Sequence, residues 1–221
     1  MYDLHTHTLY SDGELIPAEA AIRAMHVGYK GIALTDHADS SNLTFILDKL
    51  LLFKENFNSF SNNFKVIIGV ELTHILPMEI EKLKNMAIDK GADIVLVHGE
   101  TIVEPVLKET NRAAIDAGID ILAHPGLITG SDAKLALKNN VYLEISSRKG
   151  HSYTNGHVFK IAKEYGCKLV VNNDAHAPGD YLPKKLLIKI LQGAGCLEAD
   201  IDSIFKNNTT LFSKKLGEDY G

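Results

Sequence analysis

The sequence predicts an α/β fold, because short apolar segments alternate with amphipathic helical segments along the whole chain. Residues 66–70 and 94–97 are aliphatic runs of the kind found in strands buried on both faces of a parallel sheet. The alternation repeats seven times without a linker, a low-complexity segment or a shift in composition. This regularity predicts one domain, built either as a (β/α) barrel or as a doubly wound sheet.

Proline and glycine mark the boundaries of several predicted helices. Pro17 stands in the first turn of the first helix, where proline is well tolerated, and Gly28 follows its last turn. Gly91, Gly118 and Gly166 follow later helices at positions that suit a left-handed C-cap. The predicted strands are 2–5, 31–35, 66–72, 93–98, 119–124, 141–146 and 168–173. The predicted helices are 17–27, 42–60, 78–90, 105–117, 132–138, 155–165, 182–192 and 198–207.

Composition and charge narrow the possible partners. Of the 221 residues, 45% are hydrophobic and 23% are charged, and the formal net charge is -5. Such a chain lacks the broad basic surface that binds nucleic acid, so we expect no extended nucleic-acid partner. No run reaches the roughly 18 apolar residues that span a membrane, and the first residues do not form a signal segment. We therefore expect a cytoplasmic protein without a membrane partner, in which Cys167 and Cys196 are free thiols.

The first predicted strand ends in two histidines, His5 and His7, that lie two residues apart. Side chains two apart on an extended segment project to the same face, and imidazole is a common metal ligand near neutral pH. The pair therefore favours a metal site whose other ligands come from distant parts of the chain. Solvent-exposed histidines at a polar strand end would give the same short motif, so the pair alone does not decide between the two interpretations.

Six of the seven predicted strands end in a histidine, an aspartate or a glutamate. In a parallel barrel these ends lie on one face, where barrel active sites are built, so residues distant in sequence would meet there. One polar residue at a strand end commonly marks the start of a loop, but six such ends together predict a metal cluster. The strand ends carry His5 and His7, Asp36 and His37, Glu71, His98, His124, and Asp174 and His176.

These motifs resemble those of the PHP domain, the polymerase and histidinol phosphatase superfamily. The motifs are Asp3-Leu4-His5-Thr6-His7 with Ser11-Asp12-Gly13, Thr35-Asp36-His37, Gly69-Val70-Glu71, His98, Ala123-His124-Pro125 and Asp174-Ala175-His176. They come in the family's order and span most of the chain. The resemblance implies a distorted (β/α)7 TIM-like barrel, with a single PHP domain over residues 1–221, and this agrees with the seven predicted strands.

The resemblance also implies two to three divalent metal ions and nine ligand residues, whose mixed nitrogen and carboxylate donors suit Zn, Mn or Fe. His5, His7 and Asp174 would bind the first ion, and Glu71 would bridge the first and second ions. His98 and His124 would complete the second site. Asp12, His37 and His176 would hold the third ion. Some family members have a histidine at the position of Asp12, and the additional oxygen ligand here favours a slightly harder ion.

The implied reaction is hydrolysis of a phosphate ester by a metal-bound hydroxide, with Glu71 as a catalytic residue. Arg148 follows the sixth strand on the same face, where its guanidinium group could bind phosphate and act in catalysis. A solvated loop arginine is the competing interpretation. Lys149 and His151 lie in the same loop and are further candidates for substrate binding, although His151 also fits a flexible polar loop. The first expectation for the substrate is a small phosphomonoester, as in histidinol-phosphate phosphatases.

Two other functions remain open. A phosphodiesterase or exonuclease acting on short oligonucleotides or nucleoside bisphosphates fits the same cluster, although the acidic charge disfavours a long nucleic-acid track. A non-catalytic, metal-binding regulatory module belongs to another class, and the nine ligand-competent positions argue against it. Metal-dependent amidohydrolases share the barrel, but the metal-bridging lysine typical of them is not found here at a strand end.

The remaining polar residues near these motifs have weaker assignments. His26 and His74 fit no motif and are expected to be structural, and His157 is expected on the surface. Asp3 and Asp36 could orient the neighbouring histidines through hydrogen bonds. A strand-end salt bridge or a turn is an equal alternative for both aspartates.

Overall fold

The architecture is a parallel sheet curved into a barrel, with helices packed on its outer surface. The structure is a computed structural model, and it describes residues 1–61 and 63–217. Neighbouring strands pair in parallel in the order β1-β2-β4-β5-β6-β7-β8, and β3 pairs with β4. The strands are β1 (Tyr2–Thr6), β2 (Gly31–Leu34), β3 (His37–Ala38), β4 (Lys65–Leu72), β5 (Ile94–His98), β6 (Ile121–Ala123), β7 (Tyr142–Ser146) and β8 (Leu169–Asn172).

Helices connect the strands and cover the sheet, and the last two follow β8 in succession. They are α1 (Pro17–Val27), α2 (Leu43–Phe60), α3 (Ile80–Asp89), α4 (Thr110–Asp116), α5 (Gly130–Asn139), α6 (Asn155–Tyr165), α7 (Lys184–Gly193) and α8 (Glu198–Leu216). Short 3₁₀ turns lie at Pro77–Glu79, His151–Thr154 and Pro178–Asp180. No helix in the described part of the chain is both long enough and apolar enough to cross a membrane.

Side chains of the strands alternate between the helix layer and the inside of the barrel, because a strand has a two-residue period. On β4, Ile68 and Val70 belong to the core beneath the helices, whereas Ile67 belongs to a separate inner cluster. That inner cluster includes Phe212 of α8, whose ring stacks on Tyr2 at a centroid distance of 4.4 Å. Helix α8 thus closes the barrel at the amino-terminal ends of the strands.

Side chains complete the barrel where β1 and β8 meet. In the described residues, the backbone contact at this junction is an isolated parallel bridge from Thr6 to Ala175, beyond the end of β8, with the backbone nitrogen of His7 donating to the oxygen of Ala175 at 2.8 Å. Below the bridge, the side-chain oxygen of Asn172 accepts a hydrogen bond from the backbone nitrogen of Leu4 at 2.9 Å. The side chain of Asn208, in α8, donates to the backbone oxygen of Val171 at 2.8 Å. The predicted TIM-like barrel is therefore confirmed, and side-chain hydrogen bonds help to close it at this seam.

The predicted elements agree with the structure except at some boundaries. The second predicted strand is interrupted at Thr35 and Asp36, and the two-residue strand β3 continues it alongside β4. The prediction of a helix from residue 105 was wrong, because α4 begins only at Thr110, and residues 99–109 form a loop. Helix α8 extends to Leu216, nine residues beyond its predicted end at residue 207.

Candidate metal centre

The carboxyl ends of the strands surround a cavity of about 490 Å³. Beside this cavity lie four further predicted ligands that are buried, each 2% exposed or less: His5, His7, Glu71 and His124. The cavity wall itself includes the predicted residues Asp12, His37, His98, Arg148, His151, Asp174 and His176. The fold thus brings all nine predicted metal ligands to one end of the barrel. The strand-end argument expects eight of them there, and the family resemblance adds Asp12 from the loop after β1.

His5, His7, Glu71 and Asp174 form a tight buried group at the ends of β1, β4 and β8. Nε2 of His5 lies 3.2 Å from Oε2 of Glu71 and 3.7 Å from Oδ1 of Asp174. Nε2 of His7 lies 3.6 Å and 3.4 Å from the same two oxygens. Ligands about 2.0–2.1 Å from a tetrahedral ion are separated by roughly 3.4 Å. These four side chains therefore have the spacing of ligands to a common ion.

Glu71 links this group to two further histidines. Its Oε1 lies 3.3 Å from Nε2 of His124, and its Oε2 lies 2.9 Å from Nδ1 of His37. The backbone φ angles of His124 and Asp174 are 25° and 53°, which residues with a side chain rarely adopt. Strain of this kind concentrates at functional sites, where the surrounding structure maintains it.

His98, at the end of β5, lies next to His124, with their rings nearly perpendicular and their centroids 4.4 Å apart. The predicted second site joins these two histidines to Glu71. Glu71 contacts His124. The carboxylate next to His98 belongs instead to Glu104, whose Oε2 lies 3.0 Å from Nε2 of His98. Glu104 was not predicted as a site residue.

Asp12, His37 and His176 form a third group on the more open side of the cavity. Oδ1 of Asp12 lies 3.2 Å from Nε2 of His176 and 3.5 Å from Nε2 of His37. The Asp12 side chain is 57% exposed, in contrast to the buried carboxylates of Glu71 and Asp174. With His7, these residues offer ligand atoms that all lie within 4.8 Å of one another.

Buried polar atoms without hydrogen-bond partners test whether this cluster fits a metal. They include Nε2 of His5, both ring nitrogens of His7 and of His124, and both carboxylate oxygens of Glu71. Leaving such atoms unpaired costs about 1–3 kcal/mol each, and more for a charged group. A cation between them would satisfy several lone pairs at once. Nitrogen and carboxylate ligands without a thiolate suit Zn, Mn or Fe, so the residues fit divalent ions.

The pKa shifts of the buried histidines and of Glu71 also fit a cluster that binds a cation. Burial lowers the pKa of His7 well below its usual value and lowers that of His124, so both rings stay neutral and can bind a metal. Burial opposes ionisation of Glu71, but the charges of His5 and His37 outweigh it and hold the Glu71 pKa well below its usual range. Burial also opposes protonation of His5, yet Glu144, Glu71 and Asp174 raise its pKa well above the usual value. These three carboxylates thus favour a positive charge next to His5, and a bound cation would supply it.

Glu144, in the middle of β7, is a member of the centre that the sequence analysis missed. It is fully buried, and its Oε1 accepts a hydrogen bond from Nδ1 of His5 at 2.8 Å. Its Oε2 accepts from the backbone nitrogen of His124 at 3.0 Å. The contact to Nδ1 turns Nε2 of His5 toward the cluster, as carboxylates commonly do for metal-binding histidines. The available signal was a lone charged residue inside a strand whose other residues are uncharged.

The sequence profile of the PHP domain matches residues 3–218, which is nearly the whole chain. The chain belongs to the PHP family. It is a metal-dependent phosphoesterase of that family.

Relatives of this PHP protein carry several names. An uncharacterized protein of Methanocaldococcus jannaschii is 46% identical over 203 residues, which cover 91% of this chain and 93% of that protein. A "Probable phosphatase" of Shewanella pealeana is 29% identical, with 86% of this chain and 84% of that protein covered. A "Ribonuclease P protein component 3" of Methanosarcina barkeri is 32% identical over 66% of this chain and 56% of that protein.

Among solved structures, the PHP protein resembles histidinol phosphate phosphatase from Lactococcus lactis, which was solved with zinc, L-histidinol and phosphate. The TM-score is 0.60 at 18% sequence identity, and the alignment covers 89% of this chain and 94% of that chain. At this identity the likeness bears on the fold alone.

Arg148 of the PHP protein lies in the cavity wall, with 31% of its side chain exposed. Its Nη1 donates to the backbone oxygen of Asp174 at 3.2 Å and lies 2.6 Å from Nδ1 of His176. His151 is buried rather than in a flexible loop, and its Nδ1 lies 2.9 Å from Oδ2 of Asp174. Lys149 is exposed and lines a neighbouring depression instead of the cavity.

The other polar residues have distinct places. Asp3 hydrogen-bonds to Asn173, and burial raises the pKa of Asp3 to about 7. Asp36 accepts hydrogen bonds from Thr8 and Ser11, so it holds the loop after β1. His26 is exposed at the end of α1. His157 is half-buried, and its Nε2 lies 2.8 Å from the backbone oxygen of Ile128. His74, which was expected to be structural, is 45% exposed and lies in the cavity wall.

Proposed function

We propose that this PHP protein hydrolyses a small phosphomonoester with the help of two to three divalent metal ions. The observation that carries the proposal is the convergence of unpaired, buried histidine and carboxylate atoms beside an open cavity whose wall contains an arginine. The proposed metal ligands are His5, His7, Asp12, His37, Glu71, His98, His124, Asp174 and His176. The proposed ions are Zn, Mn or Fe, in agreement with the donor atoms.

Bound divalent ions would supply a nucleophilic water of lowered pKa and neutralise charge on the phosphate. The role of the protein is to hold these charges in place before the substrate arrives. Glu71 does so from the interior, since its Oε2 faces His5 and its Oε1 faces His124. Glu144 maintains the orientation of His5 through the hydrogen bond to Nδ1.

Arg148 is proposed to bind a phosphate oxygen and to stabilise its developing charge. A guanidinium group presents five N–H donors in a planar fork. Nη1 of Arg148 contacts His176 and the backbone oxygen of Asp174, and Nε lies 3.9 Å from Oδ2 of Asp174. His151 and Lys149 are proposed as further substrate contacts. His151 is supported by its place in the cavity wall, whereas Lys149 would reach the substrate only from the neighbouring depression.

A monoester is favoured over a long nucleic acid by the size and charge of the cavity. The cavity has a volume of about 490 Å³, which suits a small metabolite. Apart from histidines, Arg148 is the single basic residue in the cavity wall of the described structure. A polynucleotide needs a track of basic and aromatic residues along its backbone, and this wall offers none in the described residues.

The test is a hydrolysis screen with matched monoesters and diesters, run on protein whose metal content is measured in the same sample. We expect release of phosphate from p-nitrophenyl phosphate and from some members of a phosphorylated metabolite panel with Mn²⁺ or Zn²⁺. Glu71→Gln should abolish turnover, and His26→Ala, exposed on α1, should not. Faster cleavage of bis(p-nitrophenyl) phosphate would favour the phosphodiesterase alternative. Failure with every ester would contradict the proposal.

A further inference from the structure

His98 differs from the other proposed histidine ligands in the carboxylate that accompanies it. His5, His7, His37, His124 and His176 each lie within 4.0 Å of Glu71, Asp174 or Asp12. In the described structure, the one carboxylate within 4.0 Å of a His98 ring nitrogen is Glu104, with Oε2 3.0 Å from Nε2. As it stands, the second metal site lacks a carboxylate that reaches both of its histidines.

We propose that Glu104 is a further metal ligand, binding the ion that His98 holds. This inference rests on the proposed function, because it assigns an additional residue to the same centre. The separation of 3.0 Å between Glu104 and His98 resembles the 3.2 Å from His5 to Glu71 and the 3.2 Å from His176 to Asp12. All three are close to the roughly 3.4 Å edge expected between ligands of one tetrahedral ion.

The other oxygen of Glu104 is held in place from inside the cluster. Oε1 of Glu104 lies 3.1 Å from Nε2 of the buried His151, whose Nδ1 lies 2.9 Å from Oδ2 of Asp174. His151 therefore joins the carboxylate of Glu104 to a proposed ligand of the first ion. Metal-binding carboxylates are commonly hydrogen-bonded in this way, which fixes the direction of the free oxygen.

The loop that carries Glu104 is anchored at its start. The side-chain oxygen of Asn111 accepts from the backbone nitrogen of Glu100 at 2.9 Å, and the Glu100 carboxylate accepts from the backbone nitrogen of Asn111 at 3.0 Å. Gly126 allows the backbone to approach closely, because a Cβ there would lie 1.8 Å from the carbonyl oxygen of Glu100. These contacts fix the loop against the end of β6, where His124 lies.

His74 adds a further ligand-competent side chain to this side of the cavity. Its φ of 52° is strained for a residue with a side chain. Its Nε2 lies 3.6 Å from Oε2 of Glu104, and its ring lies 5.0 Å from that of His98. Ligand atoms of His74, His98 and Glu104 all lie within 4.8 Å of one another. The strain at His74 is understandable if the ring completes the surroundings of an ion.

Glu104→Gln tests the proposal, because it removes the charge and retains the shape. Glu109→Gln is the matched control, since Glu109 lies on the same loop and is exposed away from the cavity. Each protein is stripped with a chelator, titrated with Zn²⁺ and Mn²⁺ by calorimetry, and analysed for bound metal after gel filtration. We expect Glu104→Gln to lose one equivalent, or to bind it about 10-fold or more weakly. Glu109→Gln should match the wild type.

Two results would overturn the inference. The first is a Glu104→Gln protein with the same stoichiometry and affinity as the wild type. The second is a lower melting temperature of the metal-free variant with unchanged metal affinity, because Glu104 would then only anchor its loop. A wild-type protein that binds no divalent ion would refute the proposed function itself, and this outcome is distinguishable from the other two.

Discussion

At the scale of single residues, Arg148 gives the sharpest prediction. Its guanidinium group lies in the cavity wall beside Asp174 and His176. A hydrogen bond to a charged group is worth about 1.5–3 kcal/mol, so Arg148→Ala should lower kcat/KM for a phosphomonoester by about 10- to 150-fold. Steady-state kinetics measure this change. Arg23→Ala, which removes an exposed arginine paired with Glu19 on α1, is the control, and equal kinetics for the two variants would remove Arg148 from the site.

Asp12 gives a second prediction at this scale, because it belongs to a different proposed metal site from the histidines just before it. Asp12→Ala should release one metal equivalent while sparing the other sites, and it should change the stability of the metal-free protein little, since the side chain is 57% exposed. His7→Ala should disturb the buried first site. Metal analysis of both variants distinguishes the two losses. Retention of every equivalent by Asp12→Ala would exclude Asp12 as a ligand.

At the scale of elements, the seam between β1 and β8 depends on α8. The side chain of Asn208, 1% exposed, accepts from the backbone nitrogen of Val171 at 3.0 Å and donates to its oxygen at 2.8 Å. Asn208→Ala leaves both backbone groups buried and unpaired, so it should lower the free energy of unfolding by about 2–4 kcal/mol.

Chemical denaturation measures this loss, and Asn207→Ala is the neighbouring control. Asn207 is half-buried and donates a single hydrogen bond to the backbone oxygen of Leu169 at 2.8 Å, so its loss should cost about 1 kcal/mol. Equal destabilisation by the two variants would mean that the seam does not depend on Asn208.

The same helix explains a boundary that local sequence could not give. The predicted helix ended at residue 207, and residues 207–210 read Asn-Asn-Thr-Thr, which are weak helix formers. In the structure, Asn208 bonds to β8, and Phe212 packs inside the barrel. Tertiary contacts of this kind outweigh intrinsic preferences of a few tenths of a kcal/mol per residue.

At the scale of the whole molecule, metal binding should stabilise the fold. Ions that bind only the native state add about 2.7 kcal/mol at a concentration 100 times their dissociation constant. For a chain of this length that corresponds to a rise in Tm of roughly 5–11 °C. Calorimetry with and without a chelator measures it. The metal-free protein should still unfold cooperatively, since the hydrophobic core does not depend on the ions, and an identical Tm in both states would contradict binding at this centre.

The sequence by itself determined the alternation of strands and helices and the polar residues that end six of the strands, which a parallel topology brings together. The choice of a barrel and the full set of nine proposed ligands, including Asp12, followed from the resemblance of these motifs to the PHP domain. Only the tertiary structure decided which predicted ligands Glu144, Glu104 and His151 contact. Glu144 contacts His5 because its side chain lies on the inward face of β7. Glu104 and His151 contact each other because their two loops meet at the cavity. Such contacts join residues far apart in the chain, so no local pattern encodes them.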